Sequence, residues 1–207
     1  LFEFAGRSVA SAISSSIFQG IAMRDARAEI GNVAPRREAA VELSVDRDNV
    51  IVRVNAAWDE FAQDNDGAHL LQHSVLGSNL LDAISGRVSK NFTLAVLALA
   101  RRREQEVIFD YRCDSPRLRR FMRAHVNSDS SGAVHYAHEH LYSQAFPHRV
   151  AFKTAAQRGR DTLMRCSICN HVRQTGLWRT PESCDTHESI EVTYGVCPSC
   201  EQMLKEC

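Results

Sequence analysis

MRCSICNHVRQTGLWRTPESCDTHESIEVTYGVCPSCEQML, residues 164–204, decides how the C-terminal part of this chain folds. Cys166 and Cys169 form one C-x-x-C pair, and Cys197 and Cys200 form another, with 27 residues between the pairs. Two residues between cysteines let one tight turn aim both thiolates at a single point, and two such knuckles complete a tetrahedral four-sulfur site. Soft thiolates in that geometry suit zinc, with iron–sulfur as the other occupant of such sets. The segment holds few aliphatic residues, so it is expected to draw its folding free energy from the metal, about 10–16 kcal/mol in zinc-finger peptides. Four thiolates leave no open position for a substrate, so the expected Zn²⁺ is structural. The spacing exceeds the 15–20 residues usual between knuckles. A thiol–disulfide reading lacks the βαβ context such motifs need. Cys197-Pro198 also matches a haem-regulatory dipeptide, but proline after the first cysteine of a knuckle accounts for it.

Outward from this frame, the chain is ordinary for a globular protein. It has 207 residues, 44% hydrophobic and 24% charged, enough for one domain and a small appendage. Its formal net charge is zero, so no global field draws it to nucleic acid. Seven cysteines, four of them in paired knuckles, fit a metal and a reducing, cytoplasmic setting better than a secreted disulfide framework. No apolar run approaches the length of a membrane span.

Residues 1–37 are read as an N-terminal amphipathic helix and linker: Val9, Ile13, Ile17 and Ile21 form one stripe, suited to docking on the next domain or to a homodimer. Residues 38–143 change rhythm. Val41–Val45 and Val50–Val54 alternate as strands around a turn at 46–49, and Asn55 stands to cap a short helix bearing Trp58 and Phe61. Leu80, Leu81 and Ile84 suggest another helical turn, and a longer helix covers 92–103. Strands follow at 107–111, 119–126 and 133–142. Residues 144–163 read as a linker with a helix over 152–160, leading to the metal module at 164–207.

Three stretches carry a family resemblance. Ile51-x-x-Val54-Asn55-x-x-Trp58-x-x-Phe61, then Gly77-x-Asn79-Leu80-Leu81-Asp82, then Tyr111-Arg112-Cys113-Asp114-Ser115-Pro116 with Arg120-Phe121-Met122, resemble segments of bacterial PAS sensor domains. The resemblance implies an α+β fold: a five-stranded antiparallel PAS-like sheet with short helices, followed by a small zinc-ribbon-like four-cysteine module. The tail itself resembles a short cysteine module of some bacterial sensors, C-x-x-C, a Trp, then S-H-G-I-C-P-x-C. Here Thr193-Tyr194 replaces Ser-His, which removes a histidine as an extra ligand.

A PAS fold implies a pocket between sheet and helices, used in the family for haem, flavin, small acids or nothing. The light-sensing subclass carries a cysteine where this chain has Leu80, so no photoadduct is expected. Haem would need an axial ligand; His69 and His73, four apart, are the candidates, although the long helix lacks the histidine of the haem-binding subclass. His125, His135, His138 and His140 on the last two strands pose a second metal question. Arg112, Arg117, Arg119, Arg120 and Arg123 form a basic run, read as a solvated face with carboxylate partners. Cys113 reads as a packed small residue. With no phosphate-cradling loop and no H-E-x-x-H, the expected function is non-catalytic: a sensory, signal-transducing chain whose PAS domain detects a ligand, metal or redox cue and whose zinc module relays it to a protein partner. A zinc-containing nucleic-acid-binding regulator and a haem-based gas or redox sensor are the alternatives.

Overall fold

A computed structural model describes residues 40–64, 67–102, 105–184 and 189–206. The N-terminal apolar stripe lies outside the described residues. Two five-stranded sheets organise the rest.

The first sheet begins with β1 (Val41–Val45) and β2 (Ile51–Val54), an antiparallel hairpin. Its turn is held by the Asp46 carboxylate, which accepts from the Asp48 and Val50 N–H groups, both at 2.9 Å. Asn55 then does what its position promised. Its Oδ1 accepts from the Trp58 N–H at 3.0 Å, opening α1 (Ala56–Asp64), and from the Glu42 N–H at 3.1 Å, tying the cap to β1. Trp58 is buried and donates its indole N–H to the Leu70 carbonyl at 2.6 Å. A 3₁₀ turn (Ala68–Leu70) and the short α2 (Gln72–Val75) follow, and Leu80 and Leu81 lie in a turn rather than a helix.

The long helix is α3 (Arg87–Arg102). Ser89, Phe92, Val96, Leu97 and Ala100 face inward at three- and four-residue spacing, so one stripe rests on the sheet. β3 (Val107–Arg112), β4 (Leu118–Ser128) and β5 (Val134–Ala145) complete the sheet in the order β2-β1-β5-β4-β3, every pairing antiparallel. Two strands, short helices, one long helix and three strands is the element order that the PAS resemblance implied.

The C-terminal part departs from expectation. No helix occupies 152–160. Instead β6 (Ala151–Thr154) runs parallel to β10 (Ser189–Gly195), which is also parallel to β7 (Leu163–Cys166). β8 (Val172–Gln174) and β9 (Leu177–Arg179) add an antiparallel hairpin, and α4 (Pro198–Glu206) closes the chain. The expected linker therefore supplies an edge strand. It also brings Phe146, Val150 and Phe152 into a second core with Val172, Ile190, Val192 and Tyr194. The upstream segment thus adds apolar side chains to those of 164–204, and the module is a five-stranded mixed sheet with a core of its own.

Candidate metal centre and the adjoining cavity

The four knuckle sulfurs, Cys166, Cys169, Cys197 and Cys200, all lie within 4.8 Å of one another. Strand pairing brings them there. β7 and β10 are parallel neighbours in which Gly195 stands opposite Cys166, so both knuckles leave the same end of the sheet. Parallel neighbours need a crossover of a dozen or more residues. Here the crossover contains the β8–β9 hairpin, which explains the unusually long gap between knuckles. The first knuckle turns through Asn170, buried and at φ 62°, a left-handed conformation that asparagine tolerates. Its ring closes with the Cys166 N–H donating to the His171 carbonyl at 2.8 Å and the Asn170 N–H to the Cys166 carbonyl at 3.1 Å. The second knuckle passes directly into α4, with Pro198 in its first position, where no N–H is required.

This donor set fits zinc. A tetrahedron with arms of about 2.3 Å has sulfur–sulfur edges near ~3.8 Å; Cys169 and Cys197 stand 3.7 Å apart. Sulfur-only, four-point coordination suits Zn²⁺ or iron. Two neighbours orient the ligands: the Cys197 N–H lies 3.3 Å from Cys166 Sγ, and His171 Nδ1 lies 3.0 Å from Cys169 Sγ. His171 escaped the sequence reading, since it falls outside the knuckle pattern. Crowding also divides the thiols. S–H donation from Cys169 and Cys200 draws Cys166 down to about 2. Hydrogen bonding to Cys166 pushes Cys169 up to about 12 and pushes Cys200 up as well. A divalent cation among them inverts that logic and favours every thiolate. Cys113 and Cys184, both buried, lie outside the set; burial pushes the Cys113 thiol up, as befits a packed residue.

The knuckles are not an appendage. Cys166, Ile168, Val196, Cys197 and Cys200 belong to the same apolar core as Trp58, Val96 and Met122 of the first sheet's domain. The Arg112 N–H donates to the Ile168 carbonyl at 2.7 Å, Asn170 Nδ2 donates to the Arg112 carbonyl at 3.3 Å, and Ser89 Oγ meets Ser167 Oγ at 2.8 Å. Arg119 pairs with Glu182 at 2.7 Å.

Between them lies a cavity of about 110 Å³. The sheet contributes Leu43, Phe109, Tyr111, Tyr136 and His138; α3 contributes Ser89, Phe92, Thr93 and Val96. The third wall is Ser167, Ile168 and Val196, each one residue from a knuckle cysteine. Tyr111 OH and His138 Nδ1 are hydrogen-bonded at 2.9 Å. The Tyr136 hydroxyl and His138 Nε2 are buried without a partner. Burial, aided by His125, lowers His138 to about 4, so it is neutral at physiological pH. Burial likewise raises both tyrosines above their ordinary value.

The other sequence candidates fall elsewhere. His69 and His73 are exposed, and neither lines the cavity. The four strand histidines do not converge. His125 lies 3.1 Å from Glu106 and 3.5 Å from Glu139. His135 meets Ser44 at 2.9 Å and Asp129 at 3.2 Å, and His140 meets Ser143 at 2.8 Å. A bulge between Phe121 and Met122 shifts the register opposite Tyr142 and His140, so alternation keeps only Val134, Tyr136 and His138 inside. The arginine run is not uniformly solvated. Arg112 and Arg120 are buried. Arg112 binds Asp114 in two-pronged fashion at 3.1 and 2.6 Å, a carboxylate that also accepts the Arg120 N–H. Arg123 pairs with Asp110 in the same forked way.

Among the described residues no helix is long and apolar enough to cross a membrane. No family model matches the chain, and no curated protein matches it. Among solved structures the chain is similar to a sensory box sensor histidine kinase from Vibrio cholerae, at 14% identity and a TM-score of 0.39, over 52% of this chain and 86% of that one. A likeness that low carries no conclusion about what this chain does.

Proposed function

We propose that this chain is a non-catalytic sensory relay, in which a PAS domain takes a small ligand and a zinc-held cysteine module passes its occupancy to a protein partner. One observation carries the reading: the cavity's third wall is built from residues adjacent to the knuckle cysteines. A ligand pressing on Ile168 or Val196 acts on backbone that also positions Cys166, Cys169 and Cys197. When bound, zinc supplies rigidity, holding that wall in one arrangement. The protein's own residues do the rest: Ser89 and Arg112 clamp the first knuckle to the domain through Ser167 and Ile168.

The pairing of Arg112, Arg119 and Arg123 with carboxylates favours the relay over a nucleic-acid regulator, since those cations are already engaged. The cavity's volume and the exposed positions of His69 and His73 favour a small ligand over haem. A cavity-filling variant, Thr93→Leu, tests the relay in zinc-loaded protein. Amide exchange at Ser167 and Cys197 is expected to change relative to wild type. Knuckle amides indifferent to the filled cavity would remove the basis for the reading.

A further inference from the structure

The cavity's chemistry narrows its occupant. At about 110 Å³ the cavity is smaller than the ~150 Å³ that admits benzene, so it holds about four or five non-hydrogen atoms. Its lining is apolar apart from hydroxyls and one imidazole, and no charged side chain among the described residues lines it. A carboxylate or ammonium entering would be desolvated without a counter-ion, which disfavours charged ligands.

The polar atoms have a definable sense. Tyr111 is buried, and its hydroxyl meets His138 Nδ1. If Nδ1 carried the proton, the phenol's own hydrogen would lack an acceptor. The phenol therefore donates and Nδ1 accepts, and the neutral imidazole holds its proton on Nε2. That N–H is one buried donor without a partner; the Tyr136 hydroxyl is another. The two rings stand nearly parallel on one face of β5, 13° apart with centroids at 5.9 Å. Each unmatched buried donor has given up its water without a bond in return, which favours a ligand that supplies an acceptor. A carbonyl-type oxygen has two lone pairs, one for each.

We propose that the cavity binds a small neutral ligand, apolar except for a carbonyl-type oxygen that accepts hydrogen bonds from Tyr136 Oη and His138 Nε2. This rests on the sensory reading and names its ligand class. Phe92 and Phe109, edge-to-face at 6.0 Å, supply an aromatic wall for the apolar body.

The test uses the zinc-loaded 207-residue chain and three probes of equal size: butanone, 2-methylbut-1-ene and propionate, titrated calorimetrically. Butanone is expected to bind best and propionate not at all. Tyr136→Phe removes only an unpartnered oxygen, so the fold is retained, with Trp58 emission as the control. It is expected to weaken butanone about five- to tenfold while leaving 2-methylbut-1-ene unchanged. His138→Leu is expected to act in the same sense. Propionate binding as tightly as butanone, or butanone indifferent to Tyr136→Phe, overturns the proposal. If butanone fails to bind while Thr93→Leu still alters knuckle exchange, the ligand class falls and the relay stands. If both fail, both readings fall.

Discussion

Removing a metal bound by the four cysteines is expected to destabilise the first sheet's domain as well as the cysteine module. Chelation under reducing conditions releases the four thiolates, and the wall carrying Ile168 and Val196 loses its anchor. These two side chains are 9% and 7% exposed, and both belong to the main core. Burying an aliphatic side chain of this size contributes about 1.5–3 kcal/mol, so exposing both costs the domain about 3–6 kcal/mol. For a chain of this length each kcal/mol shifts Tm by about 2–4 °C, which gives a fall of about 6–24 °C. The assay needs a probe confined to the first sheet's domain. Trp58 is one, 1% exposed on the inner face of α1 and bonded to Leu70. Trp178, the second tryptophan, sits in β9, so a Trp178→Phe background leaves Trp58 as the sole reporter. Its emission is followed during heating, with and without chelator. A Trp58 transition unmoved by chelation, alongside a melted module, would refute the shared-core argument.

Three further outcomes are expected. Cys169→Ser lowers zinc content well below one per chain by elemental analysis, whereas Cys184→Ser, buried in the second core and outside the sulfur cluster, leaves it unchanged. His138 has a folded pKa of about 4, below its unfolded value of about 6.5, so the unfolded chain binds more protons between them. Stability from neutral His138 is thus complete above about pH 6.5 and lost as pH falls towards about 4, by about 2–3 kcal/mol between pH 7 and 4.5. Urea titrations should show His138→Phe losing less over that interval than wild type. Gly86 sits at φ +85° with the Tyr194 carbonyl 2.8 Å from where a Cβ would stand. Gly86→Ala is therefore expected to cost about 1–3 kcal/mol by denaturant unfolding, because backbone strain and a clash fall at the junction between the two sheets.

Local chemistry was readable before any fold was known. Two C-x-x-C pairs announce a sulfur cluster because ligand spacing within a knuckle is set by a single turn. Asn55 announces a cap because its side chain needs to reach only three residues along. The stripe at Phe92, Val96 and Ala100 follows from helical period alone. Each of these is decided by near neighbours in sequence. The misreadings share the opposite origin. The strand at 151–154 has no strong pattern of its own and becomes a strand because β10 offers it a parallel edge. The burial of Arg112 and Arg120 depends on the second sheet docking on the first and on Asp114 being turned towards them.

What the sequence by itself determined was the sulfur set, the order of elements in the first domain and the inward face of its long helix, because short-range geometry and periodicity suffice for these. Only the tertiary structure decided that the knuckles close one side of the cavity, and that the Tyr136 hydroxyl and His138 Nε2 are buried beside it without partners. The pairs involved, Ser89 with Ser167 and Arg112 with Ile168, lie far apart in the chain, and such contacts are set by packing, which no local pattern encodes.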